Sequence, residues 1–205
     1  MSYTLHNRPG SGGFVVEAAL TLADAPFELI ELDSKTGTPL PESFRATNPW
    51  GQVPTLILPD GTTMTETSAI LILLALRFPE KRLAPPPGTP AHAAFLRWTI
   101  FANVNLYEAV IRRGYPCRFT DDRQGYDALR SAAIRRMDEA LALVDAHVEG
   151  PFLLGEAMSI ADVYLAMLLA WHRGDVELPR LSPIVAAVRE HRVVGPIWRR
   201  HYGER

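Results

Sequence analysis

Along the chain the spacing of apolar positions changes character once. Short apolar runs separated by breakers fill roughly the first third, and beyond residue 90 apolar residues recur at helical spacing. Residues 3–6 read as a first strand, and Asn7-Arg8-Pro9-Gly10-Ser11-Gly12-Gly13 is dense in breakers. A helix is predicted from Phe14, with Phe14, Val15, Ala18, Ala19 and Leu22 on one face and Asp24-Ala25-Pro26 closing it. Residues 27–32 make a second strand, and a short helix follows around 42–46. Residues 55–58 and 62–64 form a hairpin through Pro59-Asp60-Gly61, and a helix runs from about Thr67 to Arg77.

The order βαβ, connection, ββα is that of an α/β thioredoxin-like domain, and its strand–helix–strand start predicts a parallel, right-handed pairing of the first two strands. Leu83-Ala84-Pro85-Pro86-Pro87-Gly88-Thr89-Pro90 is stiff and extended, a boundary that cannot join a helix. Beyond it strand signals almost vanish. Residues 91–113 and 126–148 predict two long helices packed on each other. Ser159 with Asp162 three residues on is an N-cap reciprocated by an acidic side chain, ahead of a helix apolar on nearly all sides. The division expected is 1–79 for the α/β domain, 80–90 for a proline-rich linker and 91–205 for an all-helical bundle.

Composition narrows the function classes. A net charge of −2 with scattered basic residues offers no nucleic-acid track, Arg199-Arg200 being too short. One cysteine excludes an internal disulfide framework and fits a reducing compartment. The N-terminus has no signal pattern, and no apolar run approaches the ~20 residues that span a bilayer, so the expectation is a cytoplasmic protein without a membrane partner. Gly10-x-Gly12 fails as a dinucleotide fingerprint, since its third glycine is misplaced and no acidic residue follows in a suitable strand. The six histidines show no metal-ligand spacing, so no metal is expected.

Residues 48–70 carry the chemistry. In Gln52-Val53-Pro54-Thr55-Leu56 a strand opens on a proline that cannot donate to a ladder; a cis bond there would expose the Val53 N–H and C=O to another extended backbone. Glu66-Thr67-Ser68 before an apolar run reads as the capped start of a helix, offering N–H groups to a carboxylate while Glu66 offers charge to an ammonium. A small peptide with an amino-acid head group fits both.

The pattern Asn-Pro-x-Gly-Gln-Val-Pro-x-Leu, an Asp-Gly turn, then Glu-Thr-x-Ala-Ile resembles the glutathione S-transferase family, which usually has Glu-Ser in the last motif. The Ser159–Asp162 capping motif recurs in the helical half of that family, so the resemblance covers nearly the whole chain. It implies a homodimeric detoxification enzyme that binds glutathione as co-substrate, lowers its thiol pKa and presents the thiolate to a small hydrophobic electrophile.

Carried over residue by residue, it implies Val53 with Pro54 on the cysteinyl backbone, Glu66 on the γ-glutamyl ammonium and Thr67 on its carboxylate, with Gln52 and Lys35 as further contacts. Ser11 is the implied thiol activator, as in serine-type members; from pattern alone it reads equally as the cap of the first helix. Tyrosine-type members end the first strand on a phenol, where this chain has Leu5-His6-Asn7, and Tyr3 is too early. Cysteine-type members have a thiol where Gly12 stands, and Cys117 lies in the other domain. His6 and Asn7 remain alternative polarisers. Trp98, Asn103, Tyr107, Arg113 and Tyr115 are candidates for the electrophile pocket, although an aromatic helical stripe also serves as core. The same thiolate would serve an isomerase, peroxidase or lyase, and a non-catalytic binding or scaffold protein could retain the fold.

Overall fold

The computed structural model describes residues 2–33 and 39–203. It divides into two compact units, Met1–Leu83 with Arg189–Arg205, and Ala84–Val188. The first unit is built on a four-stranded sheet of order β2-β1-β3-β4, with β1 at Tyr3–Asn7, β2 at Phe27–Glu31, β3 at Thr55–Ile57 and β4 at Thr63–Met64. The first two strands run parallel, and β3 runs antiparallel to both β1 and β4. Parallel neighbours need a crossover, and α1 (Gly13–Leu22) supplies it. Two further helices of this unit are α2 (Glu42–Thr47) and α3 (Thr67–Arg77).

Side chains alternate along β1, so Tyr3, Leu5 and Asn7 share one face of the sheet while Thr4 and His6 take the other. The sequence predicted one apolar face on α1. Gly13 to Leu20 are instead buried all round, because β1, α3 and the C-terminal helix α9 (Val194–Tyr202) each pack on that helix. Phe14 meets Trp198 edge-on at 5.5 Å and Tyr202 at 5.3 Å. Residues 189–205, assigned from sequence to the helical domain, therefore group with the sheet.

In the second unit, α4 (Pro90–Phe101) runs into a π-helical segment (Ala102–Tyr107) and on into α5 (Glu108–Gly114), where the sequence predicted one regular helix over 91–113. The linker ends at Thr89 rather than Pro90: the Thr89 hydroxyl accepts the His92 N–H at 3.1 Å and Pro90 is the first helical residue, a position whose N–H has no intrahelical use. Next come α6 (Tyr126–Ala146), α7 (Ile160–Trp171) and α8 (Leu181–Glu190).

The capping box at α7 is present. Asp162 accepts the Ser159 N–H at 2.7 Å, the Ser159 hydroxyl at 2.8 Å and the Leu153 N–H at 2.8 Å. Burial lifts the Asp162 carboxyl above its ordinary value in spite of these donors. Among the described residues no helix is long and apolar enough to cross a membrane.

Candidate functional site

Strand β1 ends on Asn7, which is fully buried. Its Oδ1 accepts the Arg8 N–H at 2.7 Å and lies 2.8 Å from Ser11 Oγ. A backbone N–H can only donate, so the atom facing it is the amide oxygen and the Ser11 hydroxyl must be a donor to it. Ser11 Oγ also accepts the Gly13 N–H at 3.3 Å, the long end of the range. The capping role read from sequence is thus the weaker of the two bonds. Gly12, at the N-cap position of α1, has no side chain to cap the helix start, and Ser11 takes its first two N–H groups, that of Gly13 on Oγ and that of Phe14 on its carbonyl at 3.2 Å. A Cβ on Gly13 would stand 1.8 Å from Asn7 Oδ1, so only glycine lets the amide lie under the loop. The Asn7 Nδ2 is buried without a partner.

His6 points to the opposite face, against the Phe44 ring at 5.2 Å. Burial lowers its pKa, with Glu28 opposing, so at neutral pH it is an uncharged imidazole. Of the alternative polarisers, Asn7 rather than His6 lies beside Ser11.

Buried Asn48 and Thr55 hold the turn that leads into β3. The Gln52 carbonyl accepts from Asn48 Nδ2 and from the Thr55 hydroxyl, both at 2.9 Å, and Asn48 Oδ1 accepts the Trp50 N–H at 3.1 Å. Gly51 has φ +68°, which lets the chain reverse there. The Val53–Pro54 bond is cis, and the β1–β3 ladder begins only at Thr55, so Val53 lies outside it. The Gln52 side chain is exposed. Asn48 and Thr55 were missed as organising residues; the Asn-Pro dipeptide, a turn initiator, was the available signal.

The start of α3 departs from the expected cap. Glu66 occupies the N-cap position with φ 64° and ψ 106° and makes no side-chain cap bond. A non-glycine residue there costs on the order of 1–3 kcal/mol and points to a functional constraint. Its side chain is exposed, and the first N–H groups of the helix stay open. Thr67 is buried with its Oγ1 unpartnered. Lys35 lies outside the described residues.

Of the electrophile-pocket candidates, Trp98 is buried against Phe101 at 5.4 Å and His147 at 5.1 Å and belongs to the core of its unit. Asn103 and Tyr107 sit in the π-helical segment, a feature often found at functional sites. Asn103 Oδ1 accepts the Tyr164 hydroxyl at 2.9 Å, and Tyr107 stacks on Trp171 at 5.4 Å. Arg113 donates to the Trp171 carbonyl at 3.2 Å, and its Nε is buried without a partner. Burial first, then Arg173, lowers its pKa. Tyr115 is exposed, with the Arg118 guanidinium over its ring. Among the described residues no group of three or more His, Cys, Asp or Glu could hold a metal ion.

Sheet order and helix placement define a chain with a thioredoxin-like domain followed by an all-helical region. Residues 15–77 match the family model described as the glutathione S-transferase N-terminal domain. The GST-like protein YncG of Escherichia coli K12, itself uncharacterised, is 30% identical over 169 residues, covering 81% of this chain and 80% of that protein. A glutathione transferase homologue from Sulfitobacter with bound glutathione superposes with a TM-score of 0.84 at 26% identity, covering 96% of each chain. A glutathione transferase from Methylococcus capsulatus strain Bath gives 0.80 at 28%, covering 95% of this chain and 96% of that one. The chain belongs to the glutathione S-transferase family, a family of transferase enzymes.

Proposed function

We propose that this protein binds glutathione on its first unit and that Ser11 donates a hydrogen bond to the bound sulfur, holding it as a thiolate for attack on a small hydrophobic electrophile. The observation that carries this reading is the Ser11 hydroxyl, oriented by buried Asn7 beside the start of α1. Val53 pairs with the cysteinyl backbone, Glu66 takes the γ-glutamyl ammonium, and Thr67 with the first N–H groups of α3 takes the carboxylate. Gln52 and Lys35 are the peripheral contacts.

Half ionisation of a thiol of pKa about 8.5 at neutral pH needs about 2 kcal/mol. On binding, Ser11 exchanges a neutral acceptor, worth about 0.5–1.5 kcal/mol, for a charged one worth about 1.5–3. The net gain of roughly 1–1.5 kcal/mol falls short alone, and a helix start adds about 0.3–1. The hydroxyl and the dipole at the start of α1 are needed together. In the reaction the sulfur forms a bond to the electrophilic carbon, the leaving group departs with its electron pair, and the thiol proton goes to solvent. Asn103, Tyr107, Arg113 and Tyr115 are the helical unit's contacts to an electrophile that combines a flat apolar body with a negative group. As in the family, the working form is a homodimer with no metal.

Steady-state conjugation of glutathione to an activated aryl halide tests this. Ser11→Ala should lower kcat about 10- to 100-fold with the KM for glutathione changed less than about threefold. Turnover unaffected by the substitution would remove Ser11 from the chemistry. Loss of sulfide product with continued consumption of glutathione would point to peroxide reduction instead.

A further inference from the structure

The loop that carries Ser11 is tied to the C-terminal helix by a side chain the reaction itself does not use. His201, near the end of α9, has an imidazole 1% exposed. Its Nδ1 accepts the Gly10 N–H at 3.1 Å. Its Nε2 lies 3.1 Å from Glu17 Oε2 on α1, a side chain 4% exposed that also pairs with Arg200. Gly10 is in the left-handed region at φ +71°, and that turn aims its N–H at the ring.

These contacts fix the tautomer. Because a backbone N–H can only donate, Nδ1 is the bare nitrogen, so Nε2 carries the hydrogen and donates a hydrogen bond to Glu17. The Arg200 guanidinium pairs with the same carboxylate, on its other oxygen. Burial would raise the Glu17 carboxyl, but the bonds from His201 and Arg200 outweigh it and hold it below its ordinary value, so the acceptor on α1 is ionised at neutral pH.

We infer that His201 is a positioning residue for thiol activation: it clamps Gly10 to α1 through one imidazole and so fixes the loop on which Ser11 stands. Ser11 follows Gly10 directly, and its own N–H is held by the Arg8 carbonyl at 3.1 Å, so a shift of Gly10 moves the hydroxyl. The inference rests on the proposed role of Ser11 for its functional half, and on hydrogen-bond geometry alone for the clamp.

Three variants of the full chain test it: His201→Ala, His201→Asn and His201→Gln. Asparagine places its amide oxygen close to the Nδ1 position and is too short for Glu17, whereas glutamine reaches Glu17 and offers no acceptor to Gly10. Two readouts are taken: amide hydrogen exchange at Gly10 by NMR, and ultraviolet titration of the glutathione thiol on the protein. Exchange should be slow in the wild type and in Asn, and at least about tenfold faster in Ala and Gln. In Ala and Gln the thiol pKa should rise by about one unit and kcat fall about tenfold, with the glutathione KM within about twofold. If Ala does not fold, the Asn and Gln pair still decides.

Wild-type behaviour of Gln with Ala-like behaviour of Asn would overturn the inference and assign His201 to the packing of α1. Three variants indistinguishable from wild type in Gly10 exchange would overturn it too. An ordinary thiol pKa on the wild-type protein, with the Gly10 pattern as expected, would sink the Ser11 reading and uphold the clamp.

Discussion

Ser11 Oγ lies 2.8 Å from Asn7 Oδ1, and the oxygen that accepts its hydrogen bond is pinned in place by the Arg8 N–H. Asn7 is therefore both the support of the hydroxyl and its competitor for a bound sulfur. Asn7→Asp would put a negative charge where the neutral oxygen stands. It should hold the Ser11 proton more tightly and repel the thiolate, raising the thiol pKa by about one unit or more. Ultraviolet titration of bound glutathione in this variant checks the point; an unchanged thiol pKa would separate Asn7 from Ser11.

Gly13 allows that arrangement by having no side chain. In Gly13→Ala the added carbon would meet Asn7 Oδ1 at 1.8 Å, and either the amide or the start of α1 must move. Overpacking of this kind costs about 1–3 kcal/mol, read as a lower urea midpoint, and kcat should fall with stability. An alanine variant of wild-type stability would mean that the amide has room to shift.

Thr67 separates binding from stability. Its buried Oγ1 has no partner in the free protein, so Thr67→Val removes an unsatisfied group and should leave the unfolding free energy unchanged or raise it by up to about 1 kcal/mol. The same variant should bind glutathione about 10-fold or more weakly, since a hydrogen bond to a carboxylate is lost. Calorimetric titration alongside urea unfolding measures both. Weaker binding accompanied by equal destabilisation would mark Thr67 as structural.

Much of the fold was legible because its elements carry their own punctuation. The strands, the Asp60-Gly61 turn and the Ser159–Asp162 box each announce themselves within a few residues. What escaped was decided by distant contacts. Nothing local says that α9 would return to the sheet, since Trp198, His201 and Tyr202 show their purpose only against Phe14 and Glu17. Likewise Trp98 and Tyr107 look alike in sequence, yet one is core and the other sits half-buried in a π-helical segment that residue spacing does not reveal. At Glu66 the local reading gave the right position and the wrong detail, because the helix is started without a side-chain cap.

Glu17 gives the fold a pH dependence of known sign. Its carboxyl, ordinarily near 4.5, is held lower when folded. Between the two values the unfolded chain binds more protons, so this contribution is complete above the ordinary value and is lost as pH falls through the folded one. Wild type should therefore exceed Glu17→Gln in unfolding free energy at neutral pH, with the gap narrowing below about pH 4.5. A gap that stays constant into acid would show that the pairing with His201 and Arg200 contributes nothing through ionisation.

Ionisation of glutathione at Ser11 is the central step, and the direct measurement is thiolate absorbance of the bound tripeptide against pH, in wild type and in Ser11→Ala. The wild-type protein should bring the thiol to a pKa near 7, about 1.5 units below its ordinary value, and the alanine variant should return it most of the way while still binding glutathione. Glutathione bound with the same thiol pKa in both proteins would contradict the account.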